Sequence, residues 1–185
     1  CHVNVLQTQD HPQFKTYGEE LKWLTTDKTR MKWVANTIKD ISSSGNTLIL
    51  VDRISAGEIL EEQIEDAVFV SGSTKNTDRK EQYDEISTAT NKVIIATYGV
   101  AAVGINIPRI FNLVLIEPGK SFVRVIQSIG RGIRKAEDKD SVQIWDITSS
   151  CKFAKRHLGA RKKFYKEANY PYNIEKINYE NPYTG

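Results

Sequence analysis

Cysteine is almost missing from this sequence, with Cys1 and Cys151 the two thiols in 185 residues. Two cannot build a disulfide framework, so an intracellular, cytoplasmic protein is expected. Long apolar runs are missing as well. No stretch approaches the ~20 residues needed to span a bilayer, and no signal peptide opens the chain. A membrane partner is therefore not expected. Nor does one sign of charge dominate: 26 Lys and Arg against 23 Asp and Glu leave +3, too little to announce nucleic acid by itself. His2, His11 and His157 have no metal-site spacing with the cysteines, so no metal is expected, and no catalytic triad can be argued. What is there suits one domain, since 39% hydrophobic residues at this length can bury a real core. The first residue is Cys and not Met, and a fragment of a longer protein is expected.

Residues 1–26 are mixed and polar, with only a short alternation at Val3 and Val5, and read as a linker or arm from a preceding domain. Thr26 or Asp27 can cap a helix to about Ser43, with Met31, Val34, Ile38 and Ile41 on one face. Apolar runs then follow at 47–51, 67–70, 92–96, 112–116 and 142–147. Between them lie helical patterns at 55–64, 77–89, 100–103 (short) and 121–134. Apolar runs alternating with helices predict an open, mostly parallel α/β sheet covered on both faces, over residues 27–149. Functional groups in such folds gather at the carboxyl ends of the strands.

The remainder, 150–185, reads as a basic amphipathic helix to about residue 168 and an extended tail. Phe153, Ala154, His157, Leu158, Phe164 and Tyr165 share an apolar face, into which only Arg161 intrudes. Lys152, Lys155, Arg156, Lys162, Lys163 and Lys166 share the other. That face either tracks a phosphate backbone or is simply solvated. The tyrosines at 170, 172, 179 and 183 either stack bases or pack on the domain.

The most informative segment is 122–134, FVRVIQSIGRGIR. On a helix, Phe122, Val125, Ile126, Ile129 and Ile133 form a buried stripe. Gln127, Arg131 and Arg134 then fall within roughly 60° of one another on the opposite face. Gly130 and Gly132 each cost ~1 kcal/mol against Ala inside a helix, which a plain surface helix does not explain. They make sense where a ligand or another domain comes close. Two arginines one turn apart can grip a phosphate and stabilise charge on a transferring phosphoryl group.

Other candidates lie after the apolar runs. Thr97 ends one of them, where its hydroxyl can donate to a backbone phosphate. Gly104 and Asn106 turn the chain before Pro108. Ser71, Gly72 and Ser73 offer backbone N–H groups and hydroxyls suited to gripping phosphate without reading sequence, or form a plain turn. Arg53 can make a salt bridge or a phosphate contact. Two features mislead. Gly119-Lys120-Ser121 copies the end of a phosphate loop, but its opening position falls at Val114 inside an apolar run, and Pro118 lacks the needed N–H. Residues 48–52 imitate a metal-binding strand, yet without a phosphate loop Asp52 reads as structural. No complete ATP site is present.

Gln127-Ser-Ile-Gly130-Arg131-Gly-Ile-Arg134 resembles motif VI of superfamily 2 helicases, Q-x-x-G-R-x-x-R. Residues 96–108 resemble motif V, residues 47–52 with Arg53 resemble motif IV, and 70–73 the nucleic-acid loop that follows it. The agreement in order and spacing covers roughly residues 45–148. The resemblance implies the second RecA-like domain of such a helicase, without a phosphate loop. It implies that Arg131 and Arg134 stabilise the γ-phosphoryl transition state, with Gln127 orienting them or touching the nucleotide. Gly104 and Asn106 would face the nucleotide, and Thr97, Ser71, Gly72 and Arg53 would hold nucleic acid. The family often has Asp where this chain has Asn106, which removes a charge there. ATP and Mg2+ would be bound mainly by the first RecA-like domain. Implied partners are that domain and DNA, single-stranded or branched, or an RNA–DNA hybrid. Alternatives are a duplex translocase that does not separate strands and a non-enzymatic nucleic-acid-binding module.

Overall fold

The computed structural model describes residues 2–70, 91–102, 110–119, 122, 125, 126 and 142–180. Within them lie strands β1 (His2–Thr8), β2 (Thr47–Val51), β3 (Val68–Val70), β4 (Val93–Thr97), β5 (Asn112–Ile116), β6 (Gln143–Ser149) and β7 (Tyr172–Ile177). The helices are α1 (Tyr17–Thr26), α2 (Lys28–Ser42), α3 (Ile54–Gln63), α4 (Tyr98–Ala102) and α5 (Lys152–Glu167). The strands form one sheet in the order β3-β4-β2-β5-β6-β1-β7, and every neighbouring pair is parallel. This is the open parallel α/β sheet expected from the alternation of apolar runs and helices, and the RecA-like architecture that the resemblance implies.

Side chains of a strand alternate between faces, and here both faces are dry. In β2, Leu48 and Leu50 join the core under α4, Phe122, Val125, Ile126 and α5. Ile49 and Val51 point the other way, into the core under α2 and α3. Burying each such side chain contributes ~1.5–3 kcal/mol, so the continuous apolar runs are the price of a two-sided core. On α2 the stripe of Met31, Val34, Ile38 and Ile41 is buried as its spacing predicts. Asp27 caps that helix by accepting the Arg30 N–H at 3.0 Å.

The two ends behave differently from the arm and tail read in the sequence. His2–Thr8 lies inside the sheet, with Val3 opposite Ile144 on one side and Tyr172 on the other. Asn4 accounts for part of the disguise: its amide donates across to Gln143 at 3.2 Å, so a polar residue sits comfortably within the strand. The tail supplies β7, an edge strand whose four middle residues are exposed. Glu175 and Lys176 on it are the charged kind of residue that blunts an edge against further pairing.

One glycine sets a packing distance. A Cβ on Gly57, inside α3, would lie 2.2 Å from the Phe69 ring of β3. Alanine ordinarily gains ~1 kcal/mol over glycine inside a helix. At this position Gly57→Ala is expected to lower the unfolding free energy by ~1–3 kcal/mol through overpacking, measured by urea denaturation. A gain in stability would show that Phe69 swings aside freely.

Candidate nucleotide and nucleic-acid interface

Because every strand is parallel, their carboxyl ends share one edge of the sheet, and the sequence-predicted residues can be placed against it. Val51 of β2 is opposite Thr97 of β4, and Val70 of β3 is opposite Ala96. Arg53, two residues past β2, and Thr97, the last residue of β4, therefore leave adjacent strands at the same edge. Ser71 and Gly72 follow Val70 directly in sequence but lie outside the described residues. So do Gly104, Asn106, Gln127, Arg131 and Arg134.

Thr97 is half-buried, and its Oγ1 accepts the Val100 N–H at 3.2 Å, capping α4. A hydroxyl carries one donor and two acceptor sites, so its proton is still available to a ligand oxygen. Tyr98 anchors the other side of the turn: its buried hydroxyl donates to the Ile116 carbonyl at 3.0 Å. Burial pushes that phenol well above its ordinary value. Arg53 occupies the cap position of α3 without a side-chain capping bond. Among the described residues it makes no ion pair.

Two buried arginines, neither assigned a role by sequence reasoning, hold this edge from behind. Arg30 of α2 is fully buried and pairs with Glu117, just past β5, at 2.5 Å. It also donates to the carbonyls of Leu24 at 2.7 Å and Thr148 at 3.1 Å and to the Thr8 hydroxyl at 3.3 Å. One guanidinium thereby ties α1, β1, β6 and the end of β5 together. Glu117 itself has φ +46, the left-handed turn that redirects the chain after β5. Burial pushes its carboxyl up from the usual range, and Arg30 beside it opposes that shift.

Arg161, the intruder on the apolar face of α5, explains itself in the same way. Its Nε and Nη2 grip both oxygens of Asp146 on β6 at 2.7 and 2.9 Å, and Nη1 donates to the Pro118 carbonyl at 2.8 Å. Tyr165 donates to the same carboxylate at 2.8 Å. The 117–119 turn is thus fixed from two directions. It leads straight into the segment carrying motif VI, where Phe122 donates to the Gly119 carbonyl at 3.3 Å. Phe122, Val125 and Ile126 are helical and buried, as the stripe predicts. Phe122 packs edge-on against Phe164 and Tyr165 with centroids at 5.2 and 5.7 Å. Asp146 stood unnoticed in an apolar run. A carboxylate inside a strand and a cation on an apolar helix face are the signals from which this pair could have been found.

The decoy residues find ordinary places. The Pro118 carbonyl is taken by Arg161 and a Cβ on Gly119 would meet the Tyr17 hydroxyl at 3.3 Å, while Lys120 and Ser121 lie outside the described residues. Asp52 is exposed. Cys151 is buried and its thiol is pushed up to about 11 by burial, so it is no nucleophile at neutral pH. Among the described residues no group of His, Cys, Asp and Glu is placed to hold a metal, and no helix is long and apolar enough to cross a membrane.

A parallel RecA-like sheet with Arg53 and Thr97 at its carboxyl edge suits one class: the chain belongs to the helicase conserved C-terminal domain family, whose model matches residues 29–136. Among individual proteins it is similar to the ATP-dependent DNA helicase UvsW of Enterobacteria phage T4. The two are 29% identical over 180 residues, covering 89% of this chain and 36% of UvsW. Putative helicase 22 of a Sulfolobus islandicus filamentous virus is 29% identical over 137 residues, covering 72% of this chain and 24% of that protein. The chain therefore spans about a third or less of the curated relatives it matches. In three dimensions, the crystal structure of T4 UvsW superposes with a TM-score of 0.81 at 22% identity, over 96% of this chain and 42% of that one. The E. coli DEAD-box protein SrmB gives 0.63 at 18% identity, over 95% of this chain and 91% of that one. These likenesses show the fold; both curated relatives are named as helicases.

Proposed function

We propose that this chain is the second motor domain of an ATP-dependent nucleic-acid helicase, completing an ATP site that another domain begins. The supporting observation is that the family match over 29–136 spans the segments that resemble motifs IV, V and VI, while the phosphate-loop imitation at 119–121 has Val114 at its opening position and Pro118 without an N–H. Such a chain fits ATP from one side only. Gly104, Asn106, Gln127, Arg131 and Arg134 would face the nucleotide. The phosphate loop and the carboxylates for Mg2+ would come from a first RecA-like domain. ATP supplies the transferring phosphoryl group. Arg131 and Arg134 neutralise its developing charge, and Gln127 orients them. Thr97, Arg53, Ser71 and Gly72 hold the backbone of one strand by charge and hydrogen bonds that ignore sequence. Because the arginines and the phosphate loop sit on different domains, closure and hydrolysis are coupled, and strand movement follows from opening and closing.

The substrate proposed is branched DNA or an RNA–DNA hybrid, as in recombination and repair. The likeness to UvsW, a DNA helicase, supports DNA over RNA. A strand-displacement assay run beside an ATPase assay on the whole motor tests the reading. Release of a labelled strand in step with hydrolysis is expected. Nucleic-acid-stimulated hydrolysis with no strand released would instead make the motor a duplex translocase.

A further inference from the structure

The 18 Lys and Arg of residues 1–150 face 20 acids, whereas residues 151–185 carry eight Lys and Arg against three acids. The basic character of the chain is therefore local, and it sits on α5. From Lys152 to Lys166 that helix has no acid. Lys152, Lys155 and Arg156 are exposed at its amino-terminal half. An aromatic cluster is interleaved with them. Tyr17, 38% exposed at the start of α1, meets Phe153 edge-on at 6.1 Å and His157 at 5.1 Å. Lys152 Nζ and the Arg156 guanidinium each lie 5.6 Å from the Phe153 ring centre.

Packing alone does not require this cluster at the surface. The Glu20 carboxylate already ties α1 to α5 by accepting the N–H groups of Phe153 and Ala154 at 2.9 and 3.0 Å. Nor is the cluster remote from the carboxyl edge. Tyr17 lies against Gly119, and its phenol feels the charges of Asp52, Glu117, Glu20 and Arg53.

Resting on the nucleic-acid reading above, we infer that Tyr17 and Phe153, flanked by Lys152 and Arg156, form a second contact for single-stranded nucleic acid beyond Arg53 and Thr97. Rings beside cations are the chemistry of single-strand platforms: a base stacks on the aromatic face while the cations hold neighbouring phosphates. A duplex keeps its bases stacked on one another and out of reach of Tyr17, so the occupant has unpaired bases. Asp52 and Glu20 near Tyr17 oppose phosphate at the ring itself. That places the phosphates over Lys152 and Arg156 and the base over Tyr17.

The test uses fluorescence anisotropy of the 185-residue chain with a labelled 12-residue oligothymidylate and with an abasic backbone of equal length. The base-bearing oligomer is expected to bind about tenfold tighter, from stacking. Tyr17→Leu is expected to erase most of that preference without moving abasic affinity, while Tyr17→Phe retains it. Lys152→Gln with Arg156→Gln is expected to weaken both oligomers alike and to reduce the salt slope by about 1.4, at ~0.7 per phosphate contact on single strands. Equal binding of the two oligomers by the unaltered chain, or a full preference surviving Tyr17→Leu, overturns the inference and leaves the Arg53 and Thr97 contact standing. Absence of binding to either oligomer contradicts the proposed motor function as well.

Discussion

Arg131→Ala is expected to lower ATP turnover by a motor containing this chain by ~10³-fold or more, with little change in nucleic-acid affinity. The magnitude follows from the role: an arginine delivered to a transferring phosphoryl group from outside the phosphate-binding domain accelerates transfer by ~10³–10⁵-fold. Because the charge it meets develops only in the transition state, the loss falls on kcat and not mainly on KM. Arg131→Lys is expected to recover little, since an ammonium does not reproduce the planar fork of donors. Steady-state kinetics of the two variants, with oligonucleotide binding measured alongside, check this. An Arg131→Ala motor with near-normal kcat would remove motif VI from the reaction.

The second large effect is on folding. Arg161→Met is expected to lower the unfolding free energy by ~3–5 kcal/mol, because Asp146 would then keep its charge in the core with its main partner gone. Asp146 is fully buried, and Tyr165 would be the remaining donor on it. The Pro118 carbonyl would lose its donor too. A pair removed together behaves differently. Asp146→Leu combined with Arg161→Met is expected to regain much of the loss, as apolar replacements of buried pairs often do. Urea denaturation of the single and double variants measures both. A single variant as stable as the unaltered chain would show that Asp146 sheds its charge or reaches water.

Much of this architecture is visible in the sequence where burial is two-sided. The runs at 47–51 and 112–116 coincide with β2 and β5 to the residue, because a strand covered on both faces is apolar in the middle unless a buried partner meets its polar side chain, as Arg161 meets Asp146 on β6. The α2 stripe and its Asp27 cap are equally legible, since helical spacing and capping are local. The ends are not. β1 contains Asn4 and Gln7, and β7 exposes most of its residues, so neither presents the apolar run that marked the others. Parallel pairing with β6 on one side and β7 on the other, both far away in sequence, makes the first segment a strand.

The candidate site divides similarly. Thr97 and Arg53 are identifiable because strand ends in a parallel sheet collect function. The motif VI residues were picked out by glycines that a surface helix does not need, and the residues behind the site were not. Arg30 sits among polar neighbours in the α2 sequence and Glu117 beside a turn proline, and nothing local says they meet. Tyr17 was hidden in the supposed arm, and its meeting with Phe153 depends on the docking of α1 against α5.

The central claim is that this chain supplies arginines to an ATP site but no phosphate loop. Steady-state ATP hydrolysis by the purified 185 residues, with magnesium and with saturating single-stranded DNA, tests it most directly. The expected result is no turnover above background, restored only when a domain bearing a phosphate loop is joined to the chain. Robust hydrolysis by the 185 residues alone, abolished by Arg131→Ala, would contradict the account.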